Sequence, residues 1–168
     1  MTEPNFIVTP DLYASKGKRI INLIIDSIGY YIFSFIIGIL LGILELIGVS
    51  GILNYLETMN VAGSLIFGVI IVTSYFNIFE ILTQRTLGKF ISKTMVVLED
   101  GSKPTSQDII LRSFCRLIPF EAFSFLGNDA RGWHDSISNT YVVDIAKYEA
   151  KKKSQSELEL IGKPQEDI

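Results

Sequence analysis

The 168-residue sequence contains one cysteine, one histidine and one tryptophan. A single cysteine, Cys115, allows no internal disulfide, and a single histidine, His134, leaves no second imidazole for a dedicated zinc site. The net charge is only −3 and the basic residues are scattered among acidic ones, so no positive face for nucleic acid can form. QRTLGK (84–89) lacks the spacing of a phosphate-cradling loop, and no serine–histidine arrangement marks a covalent catalyst. The expectation is a protein that is not an enzyme, with no metal and no cofactor.

Another absence locates the membrane. Residues 45–61 contain Glu45 and Glu57 but no lysine or arginine. On either side lie long apolar runs, Ile20 to about Leu46 and Ala62 to Leu82. The second run is about 21 residues, which at ~1.5 Å per residue crosses the ~30 Å hydrocarbon core. The first follows a polar leader, residues 1–18, without a small-residue cleavage pattern, and reads as a retained helix. Nearly half the residues are apolar and the mean hydropathy is positive. The class is therefore an α-helical integral membrane protein with two transmembrane helices, about 20–46 and 62–82, in an antiparallel hairpin. Basic residues flank the outer ends of both runs, so the positive-inside rule predicts a multi-pass protein of the cell membrane with both termini cytoplasmic.

After the second run the pattern changes. KTMVVLEDG (93–101) is a β-branched run closed by a turn signal, and TYVVDI (140–145) could pair with it as a short sheet. Thr105 or Ser106 begins an amphipathic helix, with Asp108, Arg112 and Arg116 on one side and Ile109, Ile110, Phe114 and Leu117 away from them. LIPFEAFSFLG (117–127) is too short to span and broken by Pro119 and Glu121, which predicts an interfacial or re-entrant segment rather than a third crossing. Residues 85–145 form the cytoplasmic, interfacial part. Residues 146–168 are charged and predict a short helical extension and a disordered tail.

The informative residues are polar ones inside the spans. Arg19, Asn22, Asp26 and Gly29 are spaced 3, 4 and 3, placing them on one helix face. Asn77, Glu80 and Gln84 form a second stripe at spacings of 3 and 4. Each stripe covers ~10 Å at the same end of its helix, so the two are expected to face each other layer by layer. A charge near the bilayer centre costs on the order of 3 kcal/mol, so Asp26 must face protein or water. Such residues carry an ion or proton, or they fasten helices together at ~0.6 kcal/mol each. Glycines 38 and 42 offer a possible small-xxx-small contact face.

Several separated motifs together resemble the RDD family of membrane proteins: Arg19 and Asp26 in the first helix, TLGK (86–89), VVLEDGSKPT (96–105), RSFCRLIPFEAFSFLG (112–127) and GWHDSISNTYVV (132–143). The resemblance covers roughly Ser15 to Asp144 and carries the family's arginine and two aspartates onto Arg19, Asp26 and Asp135. Arg85, Gly88 and Lys89 also match, whereas Gln84 stands where many relatives have glycine. The resemblance implies transport of small ligands or exchange of monovalent cations for protons, with Asp26, Arg19 and Asp135 as ion or proton candidates beside Glu80, Asn22 and Asn77. Two crossings cannot enclose a pathway, so transport implies a homo-oligomer or a partner membrane protein in the lipid bilayer. The alternative is a non-transporting structural module that docks a partner membrane protein.

Overall fold

A computed structural model describes residues 6–127 and 131–162. The chain is mostly helical, with a two-stranded sheet. Helix α1, Lys16–Leu46, begins where the Ser15 hydroxyl accepts from the Lys18 N–H at 3.4 Å. Helix α3, Val61–Thr83, is capped by Asn60, which accepts from the Gly63 N–H at 2.8 Å. These side chains satisfy donors that the first turn leaves without partners. Residues 45–61, read as a loop, contain a short helix α2, Ile52–Glu57, whose leading N–H groups donate to the Glu45 carboxylate.

Among the described residues, α1 and α3 are the helices long and apolar enough to cross a membrane. Only 6% and 17% of their most apolar windows are buried, unlike the core helices of a soluble domain, which are mostly covered. The buried residues of α1 are Arg19, Asn22, Asp26 and Gly29, the stripe read from the spacing. Gly38 and Gly42 meet nothing within 4 Å of a built Cβ, so the possible glycine contact face touches no part of this chain.

The remaining elements gather at the start of α1 and the end of α3. Helix α4, Leu87–Ser92, packs on α1, and α5, Ser106–Cys115, packs on α3. Thr105 and Asp108 cap α5 reciprocally, as the Pro104-Thr105 start predicts. The helix turns Arg112 fully inward and leaves Ile110, Leu111 and Phe114 exposed. This arrangement suits a lipid surround, where apolar groups face the solvent and charges face protein. Residues 121–126, within the segment expected to be interfacial or re-entrant, form a 3-10 helix, Glu121–Leu126, and α6 spans Trp133–Ile137.

Strands β1, Thr94–Leu98, and β2, Thr140–Asp144, pair antiparallel with Thr94 opposite Asp144 and Leu98 opposite Thr140. Alternation splits the sheet into two faces. Met95, Val97, Tyr141 and Val143 join Val8, Leu12 and Tyr148 in a small apolar core. Thr94 and Thr140 lie on the other face, where Thr94 bonds to the Asn22 amide and Thr140 accepts from Arg112 of the charged centre described below. Two sequence expectations change here. The polar leader contributes Val8 and Leu12 to that core, with a 3-10 turn at Pro10–Leu12, because it covers the sheet face that the spans leave bare. The expected short helical extension runs further, as α7, Ile145–Gly162, where Tyr148 anchors it to the core and donates to the Gly101 carbonyl. The expected disordered end, at 163–168, lies outside the described residues.

Candidate functional site

Arg112 on α5 is the hub of the site. It is fully buried, and its Nη1 donates to Asp135 and, at 2.6 Å, to the Thr140 hydroxyl. Its Nε lies 3.2 Å from the Glu80 carboxylate. Asp135 also accepts from both terminal nitrogens of Arg19 and from the Gly132 N–H at 2.9 Å. Glu80 accepts from Lys89 at 2.6 Å and from Arg116 at 2.9 Å. The start of α1, the end of α3, α4, α5 and α6 are thus tied through one ionic network.

His134 and Asp135 of the RGWHD segment (131–135) lie inside this centre, while Trp133 is exposed. His134 Nδ1 contacts Glu121, and its Nε2 lies 3.2 Å from Asp135. Burial, reinforced by the surrounding arginines, pushes the His134 pKa well below the usual range. Burial also lowers Lys89 to about 8, with Arg116 and Arg112 acting in the same direction and Glu80 opposing. Arg112 is lowered by burial to about 10 and stays charged at neutral pH. Among the described residues no group of three or more His, Cys, Asp or Glu is placed to hold a metal ion.

Asp26 stands apart from the ionic network. Its carboxylate accepts from the Thr86 hydroxyl at 2.6 Å, the Gly88 N–H at 2.7 Å and the Tyr75 hydroxyl at 3.3 Å. Arg19, on the same stripe, pairs with Asp135 instead. The two polar stripes also do not face each other layer by layer. Asn77 meets Ser113 of α5 at 2.7 Å, and Asn22 meets Thr94. The reason is steric: α4 sits against α1 so closely that a Cβ at Gly88 would lie 2.6 Å from the Asn22 carbonyl oxygen. Helices α4 and α5 fill the space that direct pairing would need.

A cavity of about 230 Å³ lies within this arrangement. Leu23 and Asp26 of α1, Val72 and Phe76 of α3, and Arg112 and Arg116 of α5 are among its walls. The Arg116 guanidinium stacks 4.0 Å from the centre of the Phe76 ring, and Arg19 lies over Phe125. Of the sequence candidates, Arg19, Asp135 and Glu80 meet in the network, Asp26 and Asn22 border the cavity, and Asn77 accepts from Ser113, which also borders it.

The RDD family model matches residues 13–139, most of the chain. The chain belongs to the RDD family. RDD proteins are membrane proteins, which agrees with the two exposed apolar helices. No curated protein and no solved structure matches the chain. The arginine and aspartates for which the RDD resemblance singles out Arg19, Asp26 and Asp135 occupy two neighbouring places: a cross-helix ion pair and a separate carboxylate held by neutral donors.

Sequence reasoning missed Arg112, Arg116, Lys89 and Glu121 as site residues. Signals for the first three existed: Arg112 and Arg116 recur on the charged side of the amphipathic helix, and Lys89 closes TLGK. Glu121 gave only the signal of a break in an apolar segment, and its partner, His134, is distant in sequence.

Proposed function

We propose that this RDD protein transports a small ligand across the cell membrane as a homo-oligomer, with the cavity beside Asp26 and Arg112 as the binding place. The observation that carries the reading is the cavity itself, whose walls come from both candidate spans and from the ionic centre. Two helices do not enclose a path, so further copies supply the remaining walls. The basic ends of both helices favour cytoplasmic termini, with the loop lacking lysine and arginine outside. The reading is non-enzymatic. Lys89, with its pKa near 8 and its ion pair to Glu80, offers a proton-exchanging group within reach of neutral pH. A small ligand is favoured over a bare monovalent cation because the three groups bonded to Asp26 all donate to it, whereas a cation is held by acceptors.

The test is reconstitution of the purified protein into liposomes with a pH dye and a panel of monovalent cations, small anions and a labelled fatty acid. Flux present in the native protein and lost in Asp26→Asn is expected. Undiminished flux in that variant removes Asp26 from the pathway.

The second reading, a docking module without transport, is favoured by one contact. Asp26 ties α1 to the α3–α4 corner through Tyr75, Thr86 and Gly88, as a fastener would. On that reading, Asp26→Asn, whose amide oxygen still accepts from the Gly88 N–H and whose amide nitrogen can donate to the Thr86 hydroxyl, keeps both the protein level and the function. Folded Asp26→Asn protein that is inactive contradicts it.

A further inference from the structure

The cavity has more hydrogen-bond donors around it than the ionic network uses. Arg112 is fully buried and borders the cavity, yet its Nη2 has no acceptor among the described residues. The same holds for the buried Nη1 of Arg116 and Nε of Arg19, two further residues of the cavity wall. Buried donors are nearly always partnered, so three around one cavity call for an acceptor from outside the chain. The neighbouring carboxylates are already engaged, except for Oε2 of Glu80, which lies 3.2 Å from Nε of Arg112 and leaves the three donors above without an acceptor. Asp135 accepts from Arg19 and Arg112, Glu80 accepts from Lys89 and Arg116, Glu121 contacts His134, and Asp26 accepts from three neutral donors.

Opposite these donors the walls are greasy: Leu23, Val72, Phe76, Leu117 and Phe125. A guanidinium fork matches the oxygens of phosphate or carboxylate, and apolar walls match an alkyl chain. We infer that the cavity binds an anionic amphiphile, a phosphate or carboxylate head on an alkyl chain. The head meets Arg112, Arg116 and Arg19, and the first part of the chain lies along Leu23, Val72 and Phe76. A cavity of about 230 Å³ is smaller than typical pockets for drug-sized ligands, ~300–1,000 Å³, which suits a head group and the start of a chain. The rest of the chain then lies against the exposed apolar faces of the spans. This assignment rests on the ligand-handling reading above and names the ligand class.

The test is a binding titration of the purified full-length protein, stripped of lipid in detergent and read by native mass spectrometry. The probes are phosphatidic acid, oleate, phosphatidylcholine with the same chains as the phosphatidic acid, and inorganic phosphate. Saturable binding of phosphatidic acid or oleate is expected, and the stronger of the two identifies the head group. Phosphatidylcholine and inorganic phosphate bind at least about tenfold more weakly, because one has a compensating positive charge and the other has no chain. Arg116→Gln lowers affinity about tenfold or more through loss of a charge-assisted bond. Ala122→Trp adds bulk to the cavity wall without removing charge and has the same effect; it decides the matter if Arg116→Gln fails to fold. Equal binding of phosphatidylcholine or inorganic phosphate, or unchanged binding in a folded Ala122→Trp variant, overturns the assignment. Anionic-lipid binding without flux of any solute in liposomes ends the transport reading and leaves this one standing; flux without lipid binding does the reverse.

Discussion

The two ends of the candidate spans are built on opposite rules. Beyond Gly29, α1 presents Tyr31, Phe35, Ile39 and Leu46 outward, and Gly38 and Gly42 meet no part of the chain. Within three turns of the other end, the same helix buries Arg19, Asn22 and Asp26 where α3, α4 and the 3-10 helix Glu121–Leu126 pack against it. The far halves need only be apolar and long enough, so many sequences would serve. The charged ends need named partners at bonding distance. Specificity in this RDD protein is therefore concentrated at one end of its helices, where each buried charge depends on several others.

The largest break in that contrast is expected at Arg112. Arg112→Leu leaves Glu80 and Asp135 without their shared cation and destabilises the fold by about 3–5 kcal/mol, seen as a collapse in folded yield and melting temperature. No single residue of the far halves has a comparable effect.

The charged end also makes stability depend on pH. Burial holds Lys89 to about 8 in the folded state, against 10.5 for the ordinary side chain. Between those values the unfolded chain binds the extra proton, so unfolding free energy rises with pH across this window. The slope is at most roughly 1.4 kcal/mol per pH unit, and the corresponding penalty is fully present below about 8. Chemical denaturation from pH 7.5 to 10.5 should show this rise, and Lys89→Met should lessen it, leaving the part that Arg112 contributes around pH 10 and above.

Two alanines sharpen the comparison further. Gly88→Ala drives a Cβ onto the Asn22 backbone, 2.6 Å from its carbonyl oxygen and 2.7 Å from its Cα, and costs about 1–3 kcal/mol in melting experiments. Gly42→Ala, with nothing within 4 Å, leaves stability unchanged or raises it slightly through helix propensity. A gain rather than a loss is expected at Gln84, which closes α3 with φ at 61°, in the left-handed region. Gln84→Gly should relieve that strain and raise stability by about 1 kcal/mol.

The contrast between the ends also explains what could be read in advance. Both spans, the Asp26 stripe, the α5 start and the two strands followed from periodicity, length and capping chemistry, which act over a few residues. Gln84 was legible as a misfit, because glycine is the residue that a left-handed helix exit favours. Partner choice was not legible. Arg19 and Asp26 share a face, yet the long guanidinium reaches Asp135, 116 positions away. Tyr75 lies outside the Asn77–Glu80–Gln84 stripe, but its hydroxyl reaches Asp26 because Gly29 leaves room for the ring. Which side of α5 faces protein also depended on lipid as solvent, a condition that its own charge pattern does not record.

The most direct test of the proposed role is flux through reconstituted Ala122→Trp protein, compared with native protein at equal protein content and equal melting temperature. This change fills the cavity wall while leaving every member of the ionic network in place. The cavity reading predicts that flux is lost in the variant while the fold persists; flux equal to that of the native protein would contradict it.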